Sequence, residues 1–142
     1  MNPRTLIALL LGLLSLATLT SCKDMTNAKG MANTAIVDFH KKFNEQKYSE
    51  IYAAAHADFK GASKEEDFLK LLEAVQRKLG KQVKSTEARW GVNSVNMKTT
   101  ATITRDTDFE QGKGVESFTY VVSGEACTVL SYSINSQDMM TK

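Results

Sequence analysis

Hydrophobic residues recur about every 3.6 positions before Gly80 and every second position after it. Phe68, Leu69, Leu72, Val75, Gln76 and Leu79 fall at spacings of three and four, which puts them on one face of a helix. Beyond Gly80, leucine, lysine and glutamate give way to alternating threonine, valine and serine, the pattern of strands with one side on a core. Helices first and strands after, within 142 residues, predict one α+β domain with its helices packed on one face of an antiparallel sheet.

The boundaries follow from local signals. Thr34 is placed to cap a first helix bearing Ile36, Val37, Phe39, His40 and Phe43. Tyr48, Ile51, Tyr52, Ala55 and Phe59 make one stripe of a second, with Ala53, Ala54 and Ala57 adding helix propensity. The third begins at Ser63-Lys64-Glu65-Glu66, an S-x-x-E capping box, and ends at Gly80, where a left-handed residue is wanted. Four strands are then expected. Residues 83–93 put Ala88, Trp90 and Val92 on one face, and residues 98–105 put Thr99, Ala101 and Ile103 there. Residues 115–123 do the same with Phe118, Tyr120 and Val122, and residues 127–135 with Thr128, Leu130, Tyr132 and Ile134. Turns at Asn93-Ser94, across 106–114 and at Ser123-Gly124-Glu125 make the four a meander. Residues 136–142 read as a loose end.

At the other terminus, Arg4 precedes an apolar run from Leu6 to Leu19, the charged and apolar regions of an export signal. The run is shorter than the roughly 20 apolar residues of a spanning helix. It ends in Leu19-Thr20-Ser21-Cys22, an aliphatic residue three positions before a cysteine with small residues between. These residues resemble the lipobox of bacterial lipoproteins. The resemblance implies removal of residues 1–21 by cleavage after Ser21, and diacylglycerol on the Cys22 thiol. It also implies a membrane anchor of acyl chains such as palmitate. Each buried methylene contributes about 0.8 kcal/mol, so two or three chains hold a protein firmly where one does not. Lys23, where aspartate would signal inner-membrane retention, points to the outer membrane, with the domain facing the periplasm. Residues 22–33 are polar, small and aperiodic, and read as a lipidated cysteine and flexible tether ahead of a domain over 34–135. With Cys22 acylated, Cys127 has no partner for a disulfide and is expected as a small buried hydrophobe.

Several functions are excluded by what the chain lacks. Eighteen Lys+Arg against 16 Asp+Glu leave no concentrated basic face for nucleic acid. The basic residues between Lys64 and Lys81 are interleaved with Glu65, Glu66 and Glu73, as on a solvated helix. There is no nucleophile elbow, phosphate loop or dinucleotide fingerprint. His40 and His56 have no metal-ligand spacing, so no metal or cofactor is expected. Glu65-Glu66-Asp67 suits the dipole of a helix start. Read from the strand alternation, no acidic side chain shares the aromatic face, so no catalytic residue is assigned.

The segment Gln46-Lys47-Tyr48-Ser49-Glu50-Ile51-Tyr52, then Phe68, Leu79-Gly80 before the sheet, and Leu130, Tyr132 and Ile134 in the last strand are similar to the nuclear transport factor 2-like or cystatin-like group of α+β folds. The resemblance spans about residues 34–135. It implies a curved four-stranded sheet that encloses a cone with the helices, used by members as enzyme site, ligand pocket or protein surface. Phe39, Phe43, Tyr52, Trp90, Phe118, Tyr120 and Tyr132 are the aromatic candidates to line it. Together these expectations describe a lipid-anchored, non-enzymatic periplasmic lipoprotein that binds a protein or small ligand through the cone. Three alternatives stand beside it: an immunity or inhibitor protein against an envelope-targeting hydrolase toxin, an isomerase- or dehydratase-like enzyme, and a structural envelope protein.

Overall fold

The computed structural model describes the backbone of residues 3–141 and the side chains of residues 22–141. Its elements are α1 (Pro3–Asn44), α2 (Tyr48–Ala53), α3 (Ala57–Ala62), α4 (Glu65–Leu79), β1 (Gln82–Val95), β2 (Lys98–Phe109), β3 (Gly112–Ser123), β4 (Ala126–Asn135) and α5 (Gln137–Thr141). The strands form one curved, open antiparallel sheet in the order β1-β2-β3-β4. The core lies between one face of this sheet and the helices, joining Ile36, Phe39, Phe43, Leu72, Val75 and Leu79 to Ile103, Phe109, Phe118 and Tyr132. This is the α+β architecture that the change of period predicts.

Residues 22–33, expected as a tether, are instead helical and continuous with the rest of α1. Thr34 caps nothing; its hydroxyl donates to the Gly30 carbonyl within the helix. Ala28 and Ala32 are buried and extend the stripe of Ile36, Phe39 and Phe43 by two turns. Alanines at those positions carry too little hydrophobicity to announce a face, yet their size lets the helix lie close to the sheet. Polar contacts hold the same stretch: Lys29 pairs with Glu87 at 2.8 Å, and Asn33 bonds both Glu87 and Arg105.

The second helical stripe is divided. The His56 N–H donates to the Val129 carbonyl of β4, which takes the chain out of helix between α2 and α3. His56 Nδ1 then accepts from the Asp58 N–H and caps α3. The capping box at Ser63 does not form, because the helix starts one residue later with Lys64 as its cap, and the Ser63 carbonyl accepts from the Tyr52 hydroxyl at 2.9 Å. Lys64 occupies the cap of α4 with no side-chain bond. Gly80 has the expected positive φ of 79°, and a Cβ there would collide with Glu110.

Two bulges decide which side chains face inward. In β1 the register shifts between Glu87 and Arg89, so Ala88 leaves the ladder, while Trp90 and Val92 stay opposite the inward Ile103 and Ala101. In β4 the partner of Thr119 is Ser131 and that of Tyr120 is Val129. Leu130 is the extra residue, and past it Cys127 and Val129 face inward in place of the expected Thr128 and Leu130. A single inserted residue exchanges the two faces of a strand.

The turns also move. Residues 106–114 are not a loop: Thr107 and Phe109 continue the inward alternation of β2, and the chain turns at Glu110-Gln111. Gly112 marks close packing, since a Cβ would meet Asp138 and Leu79. The first hairpin turns at Asn96-Met97 rather than Asn93-Ser94, with φ of 49° and 64°. Positive φ at both central positions is the geometry of a two-residue turn whose second site favours glycine. Met97→Gly is therefore expected to raise stability by about 1 kcal/mol in urea denaturation. No gain would mean that Met97 makes compensating contacts. The carboxyl end is ordered by packing, against expectation: Ser136 is buried, Lys78 donates to the Met139 carbonyl, and Asp138 accepts from the Lys113 N–H.

Candidate functional site

Glu116 is the residue that the alternation of β3 should have revealed. It stands two positions before Phe118 and four before Tyr120, so all three share the inner face, correcting the expectation that no acidic side chain lies there. Glu116 is 1% exposed. Its Oε2 lies 2.7 Å from His40 Nε2 and accepts from the Thr107 hydroxyl at 2.6 Å, while Oε1 accepts from the Tyr132 hydroxyl at 2.9 Å. One carboxylate thus ties together α1, β2, β3 and β4. Burial, with Glu116 beside it, holds the Tyr132 phenol well above its usual range and keeps it a donor.

The aromatic rings around this group pack edge to face. Phe118 meets Phe39 at 5.1 Å between ring centres and His40 at 5.6 Å. Glu116 and Tyr132 are both buried, whereas His40 forms part of the wall of an open cleft between α1 and β1. The carboxylate is thus buried, and its bonds brace the helix against the sheet.

A cavity of about 70 Å³ lies on the other flank of α1, against α2 and the β3–β4 hairpin. Phe39, Ile51, Ala54 and Val129 make it apolar; Asp38, Tyr120 and Cys127 add polar groups. Tyr120 is 3% exposed, and its hydroxyl is the buried side-chain polar atom without a hydrogen-bond partner among the described residues. Burial chiefly, then Cys127, Glu116 and Asp38, raise its pKa far above the usual phenol value. The hydroxyl is thus a donor, and satisfying it needs an acceptor from outside the fold. Asp38 is engaged by Lys42 at 2.7 Å. Ala35, Asp38 and Cys127 also border an open groove along the first turns of the described part of α1, with Lys23, Thr26 and Glu125.

Cys127 is half-buried, and burial pushes its thiol up to about 11 from 9.0. Its thiolate fraction at pH 8 is then lower by roughly a hundredfold than that of an ordinary cysteine. Alkylation by iodoacetamide should be slower in proportion and accelerate up to about pH 11. Fast labelling at pH 8 would show that this part of the hairpin opens.

Of the seven aromatic candidates, Phe39 and Tyr120 reach the small cavity. Phe43, Phe118 and Tyr132 are core. Tyr52 packs between α2, α3 and α4, with Phe59 and Phe68. Trp90 is 42% exposed with the Lys29 ammonium 4.6 Å from its ring centre. Cys22 is exposed on α1 and is free, as is Cys127. Residues 1–21, expected to be a signal, and Ser21, expected to be its cleavage position, lie outside the described side chains. Among the described residues no cluster of His, Cys, Asp or Glu is arranged for a metal, and no helix is long and apolar enough to cross a membrane. No protein-family model matches the chain, and neither does any curated protein.

Proposed function

We propose that the protein is a periplasm-facing lipoprotein, anchored at Cys22, whose domain binds a small ligand in the cavity between α1 and the β3–β4 hairpin without transforming it. Anchoring rests on Arg4, the apolar run and Leu19-Thr20-Ser21-Cys22, and the outer membrane is the destination favoured by Lys23. The order of helices and meander is compatible with a nuclear transport factor 2-like cone, in which ligand pockets are common.

One observation carries the binding reading: Tyr120, whose buried hydroxyl has no partner among the described residues, is one of the side chains lining this small cavity. At about 70 Å³ the cavity admits only a few heavy atoms, so the complementary ligand inserts a small apolar end against Phe39, Ile51 and Val129 and carries one acceptor for the phenol. The buried position of Glu116 supports a binding role over catalysis. A second reading, acid–base chemistry, has a single observation in its favour, the His40 side chain in the wall of the α1–β1 cleft with Glu116 behind it.

Native mass spectrometry of the full protein, extracted gently from its own envelope, tests the proposal. A small non-covalent adduct is expected on the wild type and is lost in Tyr120→Phe, while the acyl mass stays on both. A stoichiometric protein adduct instead would favour the inhibitor or scaffold alternatives. An adduct that survives Tyr120→Phe would overturn the assignment of the site. In the ligand-free protein, Tyr120→Phe should raise stability by about 1 kcal/mol, because it removes a buried unsatisfied hydroxyl. A loss in urea denaturation would show that the hydroxyl has an acceptor within the folded chain's own hydration.

A further inference from the structure

The helix that carries Cys22 runs beside β1 in the opposite direction, and three contacts set their relative register. Asn44 bonds the backbone of Gln82 at both N–H and carbonyl, Asn33 bonds Glu87, and the Lys29 ammonium lies over Trp90. A helix rises about 1.5 Å per residue and a strand about 3.3 Å. Seven residues beyond Lys29, Cys22 is therefore level with about Asn93, and the Asn96-Met97 turn projects roughly 10 Å further in the same direction. Cys22 is joined to the packed part of the helix, which begins at Ala28, by five intervening residues that are helical and exposed.

The tip has an unusual composition for a hairpin turn. Met97 is fully exposed, and Val95 is 58% exposed. Met97 also occupies a positive-φ position that glycine or asparagine would hold without strain. The adjoining Lys98 is paired with Asp58 at 2.6 Å, so the tip carries little net charge. Apolar groups that face away from their own core suit a second apolar phase, and the apolar face of an interfacial amphipathic helix enters about 5–10 Å into the headgroup and acyl boundary. That depth matches the projection of the turn beyond Cys22.

We infer that Val95 and Met97 at the β1–β2 tip enter the surface of the bilayer that holds the Cys22 lipid. The inference rests on the lipoprotein reading. The acyl chains and the tip then form two attachment points at one end of the domain. This would fix the long axis of the domain toward the membrane and leave α5 and the C-terminal end of α1 toward the periplasm.

The mature acylated protein is reconstituted in vesicles of phosphatidylethanolamine and phosphatidylglycerol. In a Cys127→Ser background it carries an environment-sensitive fluorophore on Met97→Cys or, at the opposite end of α1, on Gln46→Cys. The label at 97 is expected to shift to the blue and to be quenched several-fold more strongly by shallow nitroxide lipids than the label at 46. Val95→Asp should abolish both signals. Equal aqueous exposure at 97 and 46, on protein that floats with the vesicles, would overturn the inference and leave the anchor standing. Signals that persist in Val95→Asp would assign them to the dye and overturn it as well. Protein with no acyl mass that fails to float would end the lipoprotein reading and this inference together.

Discussion

Glu116→Ala is expected to cost the domain about 3–5 kcal/mol, because it strips hydrogen-bond partners from the buried His40, Thr107 and Tyr132 at about 1–3 kcal/mol each. The alanine leaves His40, Thr107 and Tyr132 with polar atoms facing one another across a dry space, since all three now bond the same carboxylate. Domains of this size are stable by about 5–15 kcal/mol in total, so the variant should unfold at a much lower urea concentration. Glu116→Gln retains shape and one acceptor oxygen and should lose about 1–3 kcal/mol. A loss below about 1 kcal/mol for the alanine variant would mean that water takes over the carboxylate's bonds and that the group does not brace α1. The same network limits stability in alkali. Tyr132 in the fold has its pKa raised well above 10.0, by burial first and then by Glu116. An unfolded tyrosine ionises near 10.0, so the contribution is complete below that pH and is lost as pH climbs past it toward the folded value. A urea midpoint that falls between pH 9 and 11 in the wild type, and less in Tyr132→Phe, is the expected observation.

Cys22→Ser should abolish incorporation of a clickable palmitate analogue and remove the acyl mass from the purified chain. Two or three chains of a dozen or more methylenes, at about 0.8 kcal/mol each, exceed what any surface contact of a small domain supplies. The serine variant should also retain residues 1–21, because the lipoprotein peptidase acts after acylation, and the precursor should stay with the inner membrane through its apolar run. Unchanged palmitate labelling and an unchanged mature mass would show that Cys22 is an ordinary exposed cysteine beside a conventional signal.

Period and composition were sufficient for the class of fold. The helical spacing of Phe68, Leu72, Val75 and Leu79 and the alternation of Ala101 with Ile103 predict what is observed because they report burial on one face, and the glycine at 80 because it takes a positive φ at the helix end. The helix across residues 22–33 was not legible for the complementary reason. Ala28 and Ala32 are buried by the sheet they fit against, and nothing in their own hydrophobicity marks a face. The same limit applies to the break at His56, which exists because a carbonyl of β4 accepts its N–H.

The candidate site divides in the same way. Lipidation at Cys22 is proposed from local sequence, since a processing signal is read as an extended stretch of chain. Glu116 was within reach of the alternation in β3, but it faces inward next to aromatics only because His40, Thr107 and Tyr132 arrive from three other elements to satisfy it. The unpartnered Tyr120 hydroxyl and the inward turn of Cys127 depend on the bulge at Leu130. Sequence by itself determined the order of helices and strands and the export and anchoring signals proposed here, since those depend on neighbours along the chain. The tertiary structure alone decided which polar groups are buried, which of them are satisfied and which ends of the molecule coincide, since those depend on strand register, where a shift of one residue reverses every side chain.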